Sequence, residues 1–415
     1  MPIAKPNKQN LSNALPQHIS QQKSQNTTKA QKPQTISQNT GANPPSNRLQ
    51  KKLRLKAEWE KQDSILLSFP HAKSDWADKI DEARECFVDI IRAIGEFEKV
   101  IICVDTHDFD GFLYLQKAFG KSSGITNRND FETLKTFDLN EKIILVFVRT
   151  NDTWARDFGA ITLELDFDKK HSLQTHFRQT QLIDFVFNGW GGKYRADFDN
   201  QINQNLAKAG IFTYPLTSLD FVLEGGSIDT DGAGTILTTS ACLLEKHRNP
   251  HLNKAQIESK LKEYLGASRV LWVDFGYLRG DDTDSHIDML ARFIDSSTIA
   301  YIGCDDRADE HYEELSKMQA QLKSFRQENG EPYNLVRLPF VGAIYDENNE
   351  RLPASYANFL FVNGGLLVPI YDDKNDKKAL EILANALPHL RVVGVNARTL
   401  IKWHGSLHCI SMQLY

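Results

Sequence analysis

The chain has 415 residues, a formal net charge of −5, and apolar and charged fractions of 41% and 25%. That length suits one large domain or two ordinary ones, and a mildly acidic body without a basic, aromatic-rich patch gives no reason to expect a nucleic acid partner. The five cysteines form no CxxC pair, no apolar run approaches the ~20 residues of a membrane span, and the N-terminus lacks the apolar core of a secretory signal. A disulfide framework, a zinc knuckle and membrane association are therefore not expected. Reduced thiols and a cytoplasmic location are.

Residues 1–50 are rich in Gln, Asn, Ser, Lys and Pro and contain no acidic residue. Such a segment cannot bury enough apolar surface to offset its ordering entropy, so a disordered extension is expected there and a folded domain over 51–415. Strand-like runs then recur at 64–69, 100–104, 143–148, 270–273, 299–302, 366–370 and 392–395. Helical patterns lie between them. Over 81–97 the set Ala83, Cys86, Phe87, Ile90, Ile91, Ile94 and Phe97 keeps the three/four spacing of one buried face. Over 253–265, Ile257, Leu261, Tyr264 and Leu265 do the same, with Asn253 and Gln256 as a capping box and Gly266 as a stop. A third amphipathic helix is expected over 376–386. Strands alternating with helices mean an α/β fold, and the short runs favour several small sheets. No strong internal sequence repeat is visible.

Four segments interrupt core-like stretches with ionisable residues: 149–159 (RTNDTWARDFG), 223–229 (LEGGSID), 280–290 (GDDTDSHIDML) and 403–413 (WHGSLHCISMQ). Cys409 follows a Gly/Ser turn, where a thiol is reachable. His408 would point to the opposite face of a strand from Cys409 and is a poor partner for it, and His404 is read as a loop residue. In an extended segment His286 and Asp288 share one side, which joins a proton carrier to a carboxylate able to hold a cation. Glu224 precedes Gly225 and Gly226, which permit close approach to the carboxylate. Trp154 and Asp157 could pack and pair with a planar cation. One thiol, one histidine and at least three carboxylates exceed what a cysteine protease needs. They suit a substrate with a delocalised positive charge, since a guanidinium pairs bidentately with carboxylates.

At this point the residues resemble the agmatine deiminase family, a branch of the guanidine-modifying superfamily that includes the bacterial-type peptidylarginine deiminases. The resemblance covers nearly all of residues 57–415. It rests on Ala57-Glu58-Trp59-Glu60, Trp154-Ala155-Arg156-Asp157-Phe158-Gly159, Asn188-Gly189-Trp190-Gly191-Gly192 and Leu223-Glu224-Gly225-Gly226. It continues with Arg248-Asn249-Pro250, Asp282-Thr283-Asp284, His286-Ile287-Asp288, Ser355-Tyr356-Ala357-Asn358-Phe359 and His408-Cys409. Each motif is weak alone; their order and spacing are specific.

The resemblance implies a five-bladed α/β propeller with its active site in the central channel. It implies Cys409 as nucleophile, His286 as general acid/base, Glu224 working beside the histidine, and Asp157 and Asp288 gripping the guanidinium. Trp154 would form a wall of the pocket, and Asp282 would meet the distal ammonium of agmatine. No cofactor or metal is implied. A homodimer would be unsurprising. The chain departs from the family pattern at Trp403-His404-Gly405-Ser406-Leu407, where the family has a run of glycines, and at Ser285, where it has glycine. A peptidylarginine deiminase is the nearest rival, and the lack of a leader and the short stretch after Cys409 favour a small internal substrate. A free-arginine deiminase is less favoured, because the chain shows no arginine-rich motif placed for an α-carboxylate. A non-catalytic binding protein on the same fold would have no reason to keep the five ionisable residues together.

Overall fold

The computed structural model describes residues 51–167 and 177–415, so the extension expected over 1–50 lies outside the described residues. Leu49–Tyr415 forms one compact unit. The expected strands are present with ends moved by one or two residues, because continuous β-branched and aliphatic runs such as Val100–Val104 pack on both faces of a sheet. The helix expected over 81–97 runs Ile80–Gly95 and buries Phe87, Ile90, Ile91 and Ile94. Each such side chain contributes about 1.5–3 kcal/mol by leaving water. The helix Lys254–Leu265 starts with the Asn253/Gln256 capping box and stops at Gly266 in the left-handed region. The third helix is Asp376–Ala386, as read from the pattern.

Among the described residues the strands make five separate sheets. Three consist of an antiparallel pair, a helix, and a third strand parallel to the second. They are Ile228–Thr230, Thr235–Thr239 and Arg269–Val273; Ala291–Asp295, Thr298–Ile302 and Asn334–Leu338; and Leu360–Val362, Gly365–Ile370 and Arg391–Asn396. The same unit recurs in Ile161–Phe167, Phe177–Val186 and Leu216–Val222, with Lys51–Leu55 added at its edge. In the fifth sheet the C-terminal strand Ser411–Leu414 pairs antiparallel with Ser64–Ser68, which runs parallel to Lys99–Val104. Ile143–Phe147 and Thr136–Asp138 extend that sheet. One supersecondary unit is thus used five times although no sequence repeat announces it: each unit needs only the apolar period, not particular residues.

That repetition positions the chemistry. Just ahead of the first strand in each unit stands a polar, buried residue: Asp157 before Ile161, Glu224 before Ile228, Asp288 before Ala291, Asn358 before Leu360 and Cys409 before Ser411.

Candidate active site

Asp157 sits in the short helix Ala155–Phe158, Glu224 at the entry to the turn Gly225–Ser227, and His286 at the entry to the turn Ile287–Met289 that carries Asp288. The last two were expected on an extended segment. A 3-10 turn replaces it, and the two side chains converge by that turn instead of by strand alternation. Ser285 and its neighbour Asp284 have φ of 65° and 66°, so the position where the family has glycine does demand the left-handed region. The Asp281 carboxylate accepts the Ser285 N–H at 2.7 Å and helps hold that backbone.

His286 Nδ1 lies 3.6 Å from Asp157 Oδ1 and Nε2 lies 3.7 Å from Glu224 Oε2. Burial alone would lower its pKa, but Asp157, Cys242 and Glu224 raise it well above the usual histidine value. Asp157 accepts from Trp190 Nε1 at 2.8 Å and from the Gly226 N–H at 3.0 Å. Burial, with Asp288 and Glu224 nearby, pushes it up to about 6 against the pull of His286. Glu224 is fully buried, yet His286 and Arg248 hold it below the usual carboxylate range, Arg248 Nε donating to both oxygens at 3.0 and 2.8 Å.

Cys409 Sγ stands 3.8 Å from Asp288 Oδ2 and 3.3 Å from Asn358 Nδ2. Burial, then Asp288 and Asp157, hold the thiol well above its ordinary pKa. Asp288 itself is kept below the carboxylate range, burial being outweighed by His408, His286 and Arg292. Its Oδ1 has no hydrogen-bond partner despite complete burial, an acceptor left open for a substrate N–H.

Two residues were missed as site groups from the sequence. Asn358 donates to the nucleophile candidate and accepts the His408 N–H at 2.9 Å. Its signal was a polar residue inside the otherwise apolar run YANFLF. His408 was set aside by strand alternation, but Leu407–Ile410 is a turn and not a strand, and the His408 and Cys409 side chains both approach Asp288 Oδ2. His408 Nδ1 meets Asp288 Oδ2 at 2.7 Å and its Nε2 meets Glu58 Oε1 at 2.8 Å. Burial, Arg156 and Arg292 lower the basicity of His408. Both ring nitrogens face carboxylates that are held below the usual carboxylate range. Glu58 also accepts from Arg156 at 3.1 Å, Arg292 at 2.5 Å and Gln413 at 3.0 Å, so Asp288 is fixed by a buried ionic network beneath the cavity.

The cavity is open to solvent and is lined by Cys409, four carboxylates (Asp75, Asp152, Asp157, Asp282), Trp154, Trp190, Tyr194, Trp403 and His404, with no Lys or Arg among its lining residues. Burial and the nearby Asp75 push Asp152 up to about 7. Asp282 accepts from Tyr194 Oη at 2.8 Å, and His404 Nε2 is 4.0 Å away. In the loop before the cysteine, Trp403 stacks on Trp76 at 4.2 Å, and Gly405 lies so close to Trp154 that a Cβ there would fall 2.1 Å from the ring.

Gly226 is the joint of the site. A Cβ on it would meet His286 Nδ1 at 2.7 Å, Asp157 Oδ1 at 2.9 Å and Asp288 Oδ2 at 3.0 Å. Gly226→Ala is therefore expected to displace three site residues at once and cut kcat by about 10–100-fold, with a far smaller change in melting temperature; steady-state kinetics beside a thermal melt checks it.

A thiol, an imidazole and several carboxylates around a cation-accepting cavity define a site of the cysteine-dependent, guanidinium-binding class. The chain belongs to the Porphyromonas-type peptidyl-arginine deiminase family, whose model matches residues 54–414. It is 31% identical to the agmatine deiminase of Medicago truncatula, over 86% of this chain and 95% of that one. Among solved structures, a C. jejuni agmatine deiminase in which a cysteine is replaced by serine, with substrate bound, is 37% identical with a TM-score of 0.75, covering 88% of this chain and 97% of that one. A structure provisionally named a peptidyl-arginine deiminase is 48% identical with a TM-score of 0.78, covering 88% and 99%.

Proposed function

We propose that this protein is an agmatine deiminase, which hydrolyses the guanidinium of agmatine to N-carbamoylputrescine and ammonia, a step in putrescine biosynthesis. The observation that carries this reading is the cavity lining of four carboxylates and aromatic rings without a Lys or Arg. A ligand cationic at both ends is welcome there. The α-carboxylate of free arginine would face like charges, which cost several kcal/mol when desolvated. We assign the catalytic domain to residues 51–415 and its location to the cytoplasm. Among the described residues no helix is long and apolar enough to cross a membrane. A five-bladed propeller is part of the same reading, supported by five like units and by the return of the last strand to the sheet of Ser64–Ser68.

In the proposed mechanism Asp157 and Asp288 take the guanidinium N–H groups, with Trp154 as a wall of the pocket. Cys409 Sγ attacks the guanidinium carbon, and His286 protonates the leaving nitrogen as the C–N bond breaks and ammonia departs. A covalent amidino-thioether remains. Water then attacks the same carbon, His286 removes its proton, and the C–S bond breaks to release the ureido product. Glu224 steadies His286 throughout, and the carboxylates stabilise the positive charge. At the outer end Asp282 meets the distal ammonium, with Asp75 and Asp152 on the same wall.

The test is incubation of the purified protein with agmatine, free arginine and a peptide with an internal arginine, measuring ammonia and ureido product, with Cys409→Ser as control. Agmatine is expected to be turned over, with kcat/KM for arginine lower by at least roughly 100-fold. Preferential turnover of the peptide would keep the mechanism and replace the substrate. Turnover of none would overturn the enzymatic reading.

A further inference from the structure

His286 Nε2 has no hydrogen-bond partner although the residue is 1% exposed. Facing it is Glu224 Oε2 at 3.7 Å. Cys242, carried by the short helix Ser240–Leu243, places its Sγ 3.9 Å from the same oxygen. One ligand atom from each of Glu224, Cys242 and His286 lies within 4.8 Å of the other two, and no other such group of His, Cys and carboxylate is found among the described residues. The proposed mechanism uses the histidine and the glutamate and leaves the thiol idle.

We propose that Glu224, Cys242 and His286 form an inhibitory site for a thiophilic divalent cation of the zinc type. The donor set of one thiolate, one imidazole nitrogen and one carboxylate oxygen is the mixture zinc takes. A tetrahedral ion with bonds of about 2.0–2.3 Å separates its ligand atoms by roughly 3.3–3.7 Å. The two separations from Glu224 Oε2, 3.7 Å to His286 Nε2 and 3.9 Å to Cys242 Sγ, need to close by only a few tenths of an ångström, and the thiol and imidazole atoms lie within 4.8 Å of each other. Asp157, 3.6 Å from the same imidazole, adds negative charge around the ion. Arg248 works against it: its Nε holds both Glu224 oxygens. The carboxylate therefore binds the ion through a remaining lone pair, which suits a reversible inhibitor better than a structural metal.

On binding, the Cys242 S–H bond and the His286 Nε2–H bond are replaced by bonds to the metal, and both protons pass to solvent. Nε2 is then no longer free to carry a proton. Inhibition rests on the proton-transfer role proposed for His286; binding does not.

The test uses the whole protein, Cys409→Ser and Cys242→Ser, titrated with Co²⁺ as a spectroscopic probe and with Zn²⁺ during turnover. A near-ultraviolet thiolate-to-cobalt absorption is expected in the wild type and in Cys409→Ser and is expected to vanish in Cys242→Ser. The zinc concentration for half inhibition should rise in Cys242→Ser by more than the roughly 10–100-fold that outer-shell changes cost. Loss of the band in Cys409→Ser with retention in Cys242→Ser would put the metal on the nucleophile and overturn the proposal, as would no band in the wild type. Should Cys242→Ser fail to fold, anomalous scattering from zinc-soaked wild-type crystals locates the ion, and a peak away from Cys242 refutes the site. Cobalt binding without turnover of agmatine, arginine or the peptide would sink the enzymatic reading alone. Turnover untouched by zinc would sink this one alone.

Discussion

Cys409→Ser is expected to lower kcat for agmatine by about 10⁴-fold or more while leaving the melting temperature within a degree or two and agmatine still bound. The serine would keep the contacts to Asn358 and Asp288 that the thiol makes. It would lose the nucleophile, whose advantage over a hydroxyl is its accessible anion. In the free protein that anion is suppressed: burial, Asp288 and Asp157 all hold the thiol protonated. In the proposed mechanism a bound guanidinium reverses the balance by placing a positive charge beside the sulfur and those carboxylates, so the thiol is expected to release its proton to solvent when the substrate arrives. Alkylation should follow the same rule. A cationic haloacetamidine should label Cys409 much faster than neutral iodoacetamide at the same pH, as mass spectrometry of the adducts would record. Equal labelling rates would mean the thiolate exists beforehand, and residual turnover of even one part in a hundred in the serine variant would remove Cys409 from the chemistry.

Much of the fold was legible because each strand is a short continuous apolar run and each helix keeps one buried stripe; Lys254–Leu265 even declares both of its ends, through Asn253 and Gly266. The fivefold reuse of one unit was not legible in the apolar pattern and was expected only through the family resemblance, since ββαβ packing tolerates any apolar residues and leaves no sequence echo. The site divides the same way. Glu224, Asp157, His286, Asp288 and Cys409 were nameable because charge in a core-like run needs a reason, and the structure brings them around one cavity or directly behind it. Asn358 was passed over because a lone amide in an apolar run also serves as a buried hydrogen-bond hub. His408 was weighed only as a partner for Cys409, by period-two reasoning applied to what is a turn. Its true partners, Asp288 and Glu58, are 120 and 350 residues away in sequence, and no local pattern encodes such distances.

His286→Asn carries the second large effect: kcat is expected to fall by about 10²–10⁴-fold, the range a positioned acid/base supplies, with a smaller change in KM because Asp157 and Asp288 still grip the cation. The pH dependence gives a signature that a merely structural residue would lack. Burial opposes the imidazolium, but Asp157, Cys242 and Glu224 raise its pKa well above the ordinary value. Protonation of His286 is therefore favoured in the folded state, and the acid needed for ammonia release is depleted only as pH climbs through that raised value. Stability follows the same sign. A pKa higher in the folded than in the unfolded chain stabilises the fold fully below about pH 6.5, the unfolded value. The contribution then fades as pH rises through the folded value. The wild type should thus melt above His286→Asn at pH 6, and the gap should narrow in alkaline buffer. A gap that widens with pH would mean that His286 is held neutral, and the leaving ammonia would then need another proton donor.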